Sequence, residues 1–201
     1  MEVIIIKNYL IKYTDKELKN YEGGKVKIVK NDNDITSFIK KAKMFPTNSK
    51  LYYGKIGKEL SNRIKNNLGI DLENYNISLK AYSIRHILNR HGNNKEKLRG
   101  QIPVTYTDFK LVPKIISDYD LIINSGSTKN GKMVITFVKE INDKYYLVNY
   151  VSDKNHNLEI QTMWKQKKNS ATGDNAIISP IQTSETDSGT SSSIEDSTIK
   201  E

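Results

Sequence analysis

Cysteine is absent from the 201 residues. That excludes a disulfide framework, a thiolate zinc site and a cysteine nucleophile. Arginine is scarce: Arg63, Arg85, Arg90 and Arg99 are the only four among 32 basic residues. There are three histidines, one tryptophan and four prolines. No apolar run is longer than residues 3–6, far below the ~18 residues that a membrane span needs. The start runs through a short strand-like segment into Lys7, without the apolar core of a signal peptide. These absences leave a soluble, cytosolic-type protein as the expectation, with one domain and an appendage.

What is abundant is lysine, and the 32 basic residues against 23 acidic ones give a net charge of +9. The charge is uneven. Residues 169–201 hold one base (Lys200) and six acids, a net of −5, so residues 1–168 carry +14. Such density on a folded body points to a polyanion, nucleic acid before an anionic membrane surface. An AT-rich genome, which enriches Lys, Asn and Ile in any protein, accounts for the same composition without a partner.

Three parts are expected. Residues 169–201 contain 13 Ser and Thr and none of the 17 aromatic residues. They cannot bury enough surface to offset their ordering entropy and read as a disordered acidic tail. Residues 1–47 read as a small α/β extension. It has strands at 2–6 and 25–30, a turn at Glu22-Gly23-Gly24, and a helix capped by Asp34 that runs through Met44 to a stop at Pro46. Residues 48–168 form the body. Tyr52, Tyr53, Ile56, Leu60, Ile64 and Leu68 fall three or four apart, which predicts one helix over 49–68 with Gly69 as its C-cap. A strand is expected over 76–82, a helix from Ser83 to His91 stopped by Gly92, and another helix over 107–116. Four strand-like runs follow, at 121–123, 132–139, 144–151 and 158–164, with short turn-rich separators that predict an antiparallel meander. Helices first and a four-stranded sheet after them make an α+β fold.

The chemistry concentrates in Arg85-His86-Ile87-Leu88-Asn89-Arg90-His91-Gly92, which holds two of the three His and two of the four Arg. A helical zinc pair wants His at i and i+4. Here the spacing is i, i+5, about 140° apart on a regular helix, and no Glu follows His86, so no metal is expected. Ser125-Gly126-Ser127 is a turn and not a nucleophile elbow. What remains is general acid–base work on a phosphodiester, for which imidazole suits both proton roles and Arg or Lys the developing charge. On a regular helix His86 and His91 diverge, so Gly92 would have to unwind the end to bring them together. The bland reading makes His91 a half-buried core residue and His86 an exposed polar one. His156 reads as a turn residue. Trp164 could stack a base or close the core.

The run from Ile84 to Gly92 is followed by Glu96, Arg99-Gly100-Gln101-Ile102, Thr105, Asp108-Phe109, Ile115-Ile116 and finally Gln161-Thr162-Met163-Trp164-Lys165. In this order, over roughly residues 50–168, the motifs resemble the phage-associated nuclease domains of the Barnase–EndoU–colicin–RelE (BECR) superfamily. The resemblance implies a metal-independent endoribonuclease without cofactor, in which 2′-OH attack is catalysed by His86 and His91. Thr162 would bond a phosphate oxygen and Lys165 offset its charge, with Arg85, Arg90, Arg99 and Trp164 binding RNA. It also implies RNA, tRNA included, as the partner in a bacterial host's cytoplasm, phage-encoded or phage-delivered, with an antitoxin or immunity protein as a second partner and no membrane. The third strand's Val148-Asn149-Tyr150-Val151 departs from the pattern in having no acidic residue. A non-catalytic nucleic-acid-binding module and a phage structural protein are the competing readings.

Overall fold

The structure, a computed structural model, describes residues 9–21 and 25–168. The expected strand at 2–6, the turn at Glu22-Gly23-Gly24 and the acidic tail lie outside these residues. The elements are β1 (Leu10–Ile11), α1 (Asp15–Tyr21), β2 (Val26–Ile28), α2 (Asp32–Met44), β3 (Lys50–Ile56), α3 (Lys58–Leu68), β4 (Asn76–Lys80) and α4 (Ala81–His91). Then come β5 (Gln101–Ile102), α5 (Val112–Ser117), β6 (Leu121–Ser127), β7 (Met133–Glu140), β8 (Lys144–Ser152) and β9 (Asn157–Gln166). Short 3-10 turns sit at Asn94–Arg99, Asp108–Leu111 and Asp153–Asn155.

The fold is α+β with a mostly antiparallel sheet. The four expected strand runs form the antiparallel ladder β6-β7-β8-β9. The sheet nevertheless has nine strands among the described residues, not four. Its order is β1-β3-β4-β9-β8-β7-β6, with β2 on β3 and β5 on β9. β4 lies parallel to β9, and β2 parallel to β3.

The main correction concerns residues 49–68. Their first half is strand β3 and only the second half is helix α3. Leu51, Tyr53 and Ile56 reach the core at steps of two and three, because the register against β4 shifts between Tyr52 and Gly54. A bulged strand therefore imitates a helical spacing. Gly54 holds φ +150, and a Cβ there would stand 3.2 Å from the Ile11 carbonyl oxygen, so the docking of β1 requires glycine. Gly69 caps α3 in the left-handed conformation, as its position suggested.

The cap of α2 is Asn31, whose side chain accepts from the Asp34 backbone N–H, while Asp34 returns a bond to the backbone of Asn31. Asp34 is thus the third-residue partner of a capping box and not the cap. Phe45 is pushed extended before Pro46, which ends the helix. The expected helix over 107–116 divides into the turn Asp108–Leu111 and α5, with Pro113 in the first turn of α5, where a missing N–H leaves nothing unpaired. Ile39 of α2, Ile64 of α3, Ile84 and Ile87 of α4 and Ile115 of α5 join Leu147, Ile160 and Met163 of the sheet in one core cluster. Each such side chain contributes ~1.5–3 kcal/mol by leaving water.

Candidate active site

β9 organises the site. Met163 lies in the core cluster, so by the two-residue alternation of a strand Lys165 shares its face while Thr162 and Trp164 look the other way. The pairing with β8 shifts between Val148 and Asn149, leaving Gln161 as an extra residue. That bulge puts Glu159 and Thr162, three apart, on the same face. On its other edge β9 pairs with β4 only through Ile160 and with β5 only from Lys165. Residues 161–164 have no strand on that side among the described residues. α4 follows β4 without a linker and packs against β9.

The end of α4 is built for close approach. A Cβ on Gly92 would fall 2.5 Å from the Leu88 carbonyl oxygen. The Gly92 N–H donates to that oxygen at 3.1 Å, and the His91 carbonyl accepts from the Val104 N–H at 2.7 Å. Asn93 caps the following 3-10 turn by accepting from the Lys95 N–H at 2.9 Å, and its amide donates back to the Asn89 carbonyl at 2.8 Å. This ties the turn to the helix and brings Glu96 under His91.

Glu96 is 1% exposed. His91 Nδ1 lies 2.9 Å from Glu96 Oε2, and Arg99 Nη1 donates to Glu96 Oε1 at 3.2 Å. A carboxylate only accepts, so Nδ1 is the donor and Nε2 is the nitrogen left to exchange protons. The His86 ring centroid lies 6.4 Å from that of His91. The helix runs regularly through His91, so no unwinding was needed: the end position of His91 and its tether to Glu96 bring the rings together. On the other side His91 lies 6.1 Å from Trp164, which stacks on Tyr146 at 5.0 Å and 7°. Tyr82, one turn before His86, lies 6.5 Å from it at 23°. Burial, then the charges of His91 and Arg90, hold the His86 imidazole below its ordinary value of 6.5, which favours its neutral form near pH 7.

The remaining expected residues divide. Arg90 is exposed beside His91. Thr162 lies on the Trp164 face, with Oγ1 shielded and without a hydrogen-bond partner among the described residues. Arg85 turns away and donates to the Ala42 and Phe45 carbonyls at 3.1 and 3.4 Å, closing the C-terminus of α2. Lys165 lies on the core face, 7% exposed, and donates to Asp108 Oδ1 at 3.0 Å. Asp108 also accepts from Tyr145 Oη at 2.8 Å, Thr105 N at 2.6 Å and Thr105 Oγ1 at 2.8 Å. The site and Lys165 are therefore on opposite faces of β9.

Sequence reasoning left Glu96 without a role. The available signal was one acid among Lys95, Lys97 and Arg99, five residues past His91 across a glycine. Glu159 was also missed. Burial opposes its ionisation, but the hydrogen bond and charge of Lys80, with Lys50 and Lys132, outweigh it and hold its carboxyl below the usual range. No group of three or more His, Asp or Glu among the described residues is arranged to hold a metal ion, and no helix among them is long and apolar enough to cross a membrane.

No curated protein and no solved structure matches the chain. One family model does, over residues 54–172: the phage-Barnase-EndoU-ColicinE5/D-RelE like nuclease 3 family. The matched span holds α4, the Glu96 turn and the whole β6–β9 ladder. With more than half of its length matched, the chain belongs to this family of phage-associated BECR-like nucleases.

Proposed function

We propose that the chain is a metal-independent endoribonuclease that cleaves RNA by attack of the ribose 2′-OH. The observation that carries this is the tethered imidazole: His91 with Nδ1 on buried Glu96, 6.4 Å from the ring of a second, neutral-leaning His86. A general base or acid needs only ~2.6–3.2 Å of heavy-atom approach to its proton's oxygen, so both rings can reach oxygens of one phosphodiester. His86 takes the 2′-OH proton. The 2′ oxygen bonds to phosphorus, the bond to the 5′ oxygen breaks, and His91 Nε2 gives its proton to that leaving oxygen. The products are a 2′,3′-cyclic phosphate and a 5′-hydroxyl. Arg90 and Arg99, both exposed close to His91 in the chain, offset charge on the phosphate. Glu96 acts through His91, fixing its tautomer and orientation. The nuclease unit is residues 48–168, acting on host RNA in the cytoplasm, with an antitoxin or immunity protein as the restraining partner.

A non-catalytic nucleic-acid-binding module is the second reading. It is favoured by the commitment of Lys165 to Asp108, which removes one of the cations expected at the transition state. Labelled RNA incubated with the protein in EDTA separates the two. The nuclease cuts RNA, spares DNA and is blocked by a 2′-O-methyl group at the cut site. A binding module retains RNA in a salt-sensitive complex and leaves it intact.

A further inference from the structure

Tyr82 is unusual among the aromatic side chains of the described residues. It is 67% exposed, on the first turn of α4. Its neighbour in the row of rings is His86, at 6.5 Å and 23°, followed by His91, Trp164 and Tyr146. The inner end of the row is occupied: Trp164 lies against Tyr146 on one side and His91 on the other. The outer end is open to solvent. An exposed tyrosine face supplies the stacking ring of a single-strand site, and the +14 charge of residues 1–168 favours a polyanion as its ligand.

We infer that Tyr82 is a stacking platform for an unpaired nucleobase beside the scissile phosphate, and that the substrate is therefore single-stranded RNA or a loop. This rests on the ribonuclease reading for the identity of the site, though the platform itself requires only binding. A base resting on Tyr82 places its own ribose and phosphate next to His86, the adjacent ring of the row. In an A-form duplex every base face is covered by its neighbours, and the deep major groove admits no side chain. A continuous duplex therefore offers Tyr82 nothing to stack on. Unpaired nucleotides also have the freedom to bring the 2′ oxygen in line with the departing 5′ oxygen.

The test uses the full chain, with Tyr82→Ala and Tyr82→Phe. Anisotropy of labelled, 2′-O-methyl-protected RNA reads binding without cleavage, on a single strand and on a duplex of equal length. Because Tyr82 is exposed, neither change disturbs the core. The expected result is tighter binding to the single strand, a loss of about tenfold or more on it for Tyr82→Ala, retention by Tyr82→Phe, and no change on the duplex. Equal single-strand affinity for Tyr82→Ala and the parent, or an equal loss on the duplex, overturns the inference. Tyr82-dependent binding with no cleavage of unprotected RNA overturns the ribonuclease reading and supports the platform. Cleavage with Tyr82-independent binding overturns the platform alone.

Discussion

Glu96 and Asp108 are two buried carboxylates on neighbouring turns of the chain, and they end in opposite kinds of structure. Asp108 accepts four hydrogen bonds, from Tyr145, Lys165 and two groups of Thr105. Every lone-pair direction is used and the ion pair is closed off from water. Glu96 accepts from His91 and from Arg99, and the arrangement opens outward through an imidazole with a second nitrogen to spare. Burying a charge is expensive unless it is paired. The first pairing locks β9 to the 3-10 turn behind it; the second holds a titratable ring at an open edge. Lys165 and His91 are both motif residues, yet the geometry gives one of them to the core and the other to the site.

The largest expected effects are at the imidazoles. His86→Ala and His91→Ala each lower kcat by ~10²–10⁴, measured by RNA cleavage and urea denaturation side by side. His86→Ala leaves the unfolding free energy nearly unchanged, whereas His91→Ala also lowers it, because buried Glu96 keeps only Arg99 as a partner. Next is the closed pair. Asp108→Asn leaves the buried Lys165 charge only the more distant Asp143, at 3.8 Å, and lowers stability by up to about 3–5 kcal/mol. The double change Asp108→Asn with Lys165→Met recovers part of that loss, since it removes the underpaired buried ion and keeps an acceptor for Thr105. A double variant as unstable as the worse single would show that the pair is not what holds this corner.

Smaller and more diagnostic is Glu96→Gln. It keeps the volume and leaves His91 without an anionic partner, and the expected loss in kcat is ~10–100-fold with KM nearly unchanged. The pH profile sharpens the contrast. His86 must be neutral to act as base, and its value lies below the ordinary 6.5. Activity therefore falls only as pH drops below that ordinary value, and this acid limb stays in place in Glu96→Gln. A variant that keeps the parent's kcat makes Glu96 a packing residue.

The ladder β6–β9 was legible because four runs of β-prone residues are spaced by short turns. The two-residue strands β1 and β5 carry no pattern long enough to read, whereas β2 lies within the strand expected at 25–30. β3 was mistaken for helix because its bulge converts the step of two into steps of two and three. At the site, clustering of His and Arg identified α4, and its last turn was placed to the residue. What could not be read was direction. Arg85 lies one residue from His86 and serves α2, and Lys165 lies one residue from Trp164 and serves Asp108. A strand's alternation decides the second case, but the deciding register depends on a bulge at Gln161 that composition does not reveal. Glu96 was invisible as a partner because a 3-10 turn, not a helix or strand, carries it to His91.

The most direct measurement is the 3′ end left on RNA cut in the presence of EDTA. The parent protein is expected to leave a 2′,3′-cyclic phosphate, and the variant carrying both His86→Ala and His91→Ala to leave the RNA intact. Cleavage that leaves a 3′-hydroxyl, or a doubly substituted protein that folds normally and cuts as fast as the parent, would contradict that expectation.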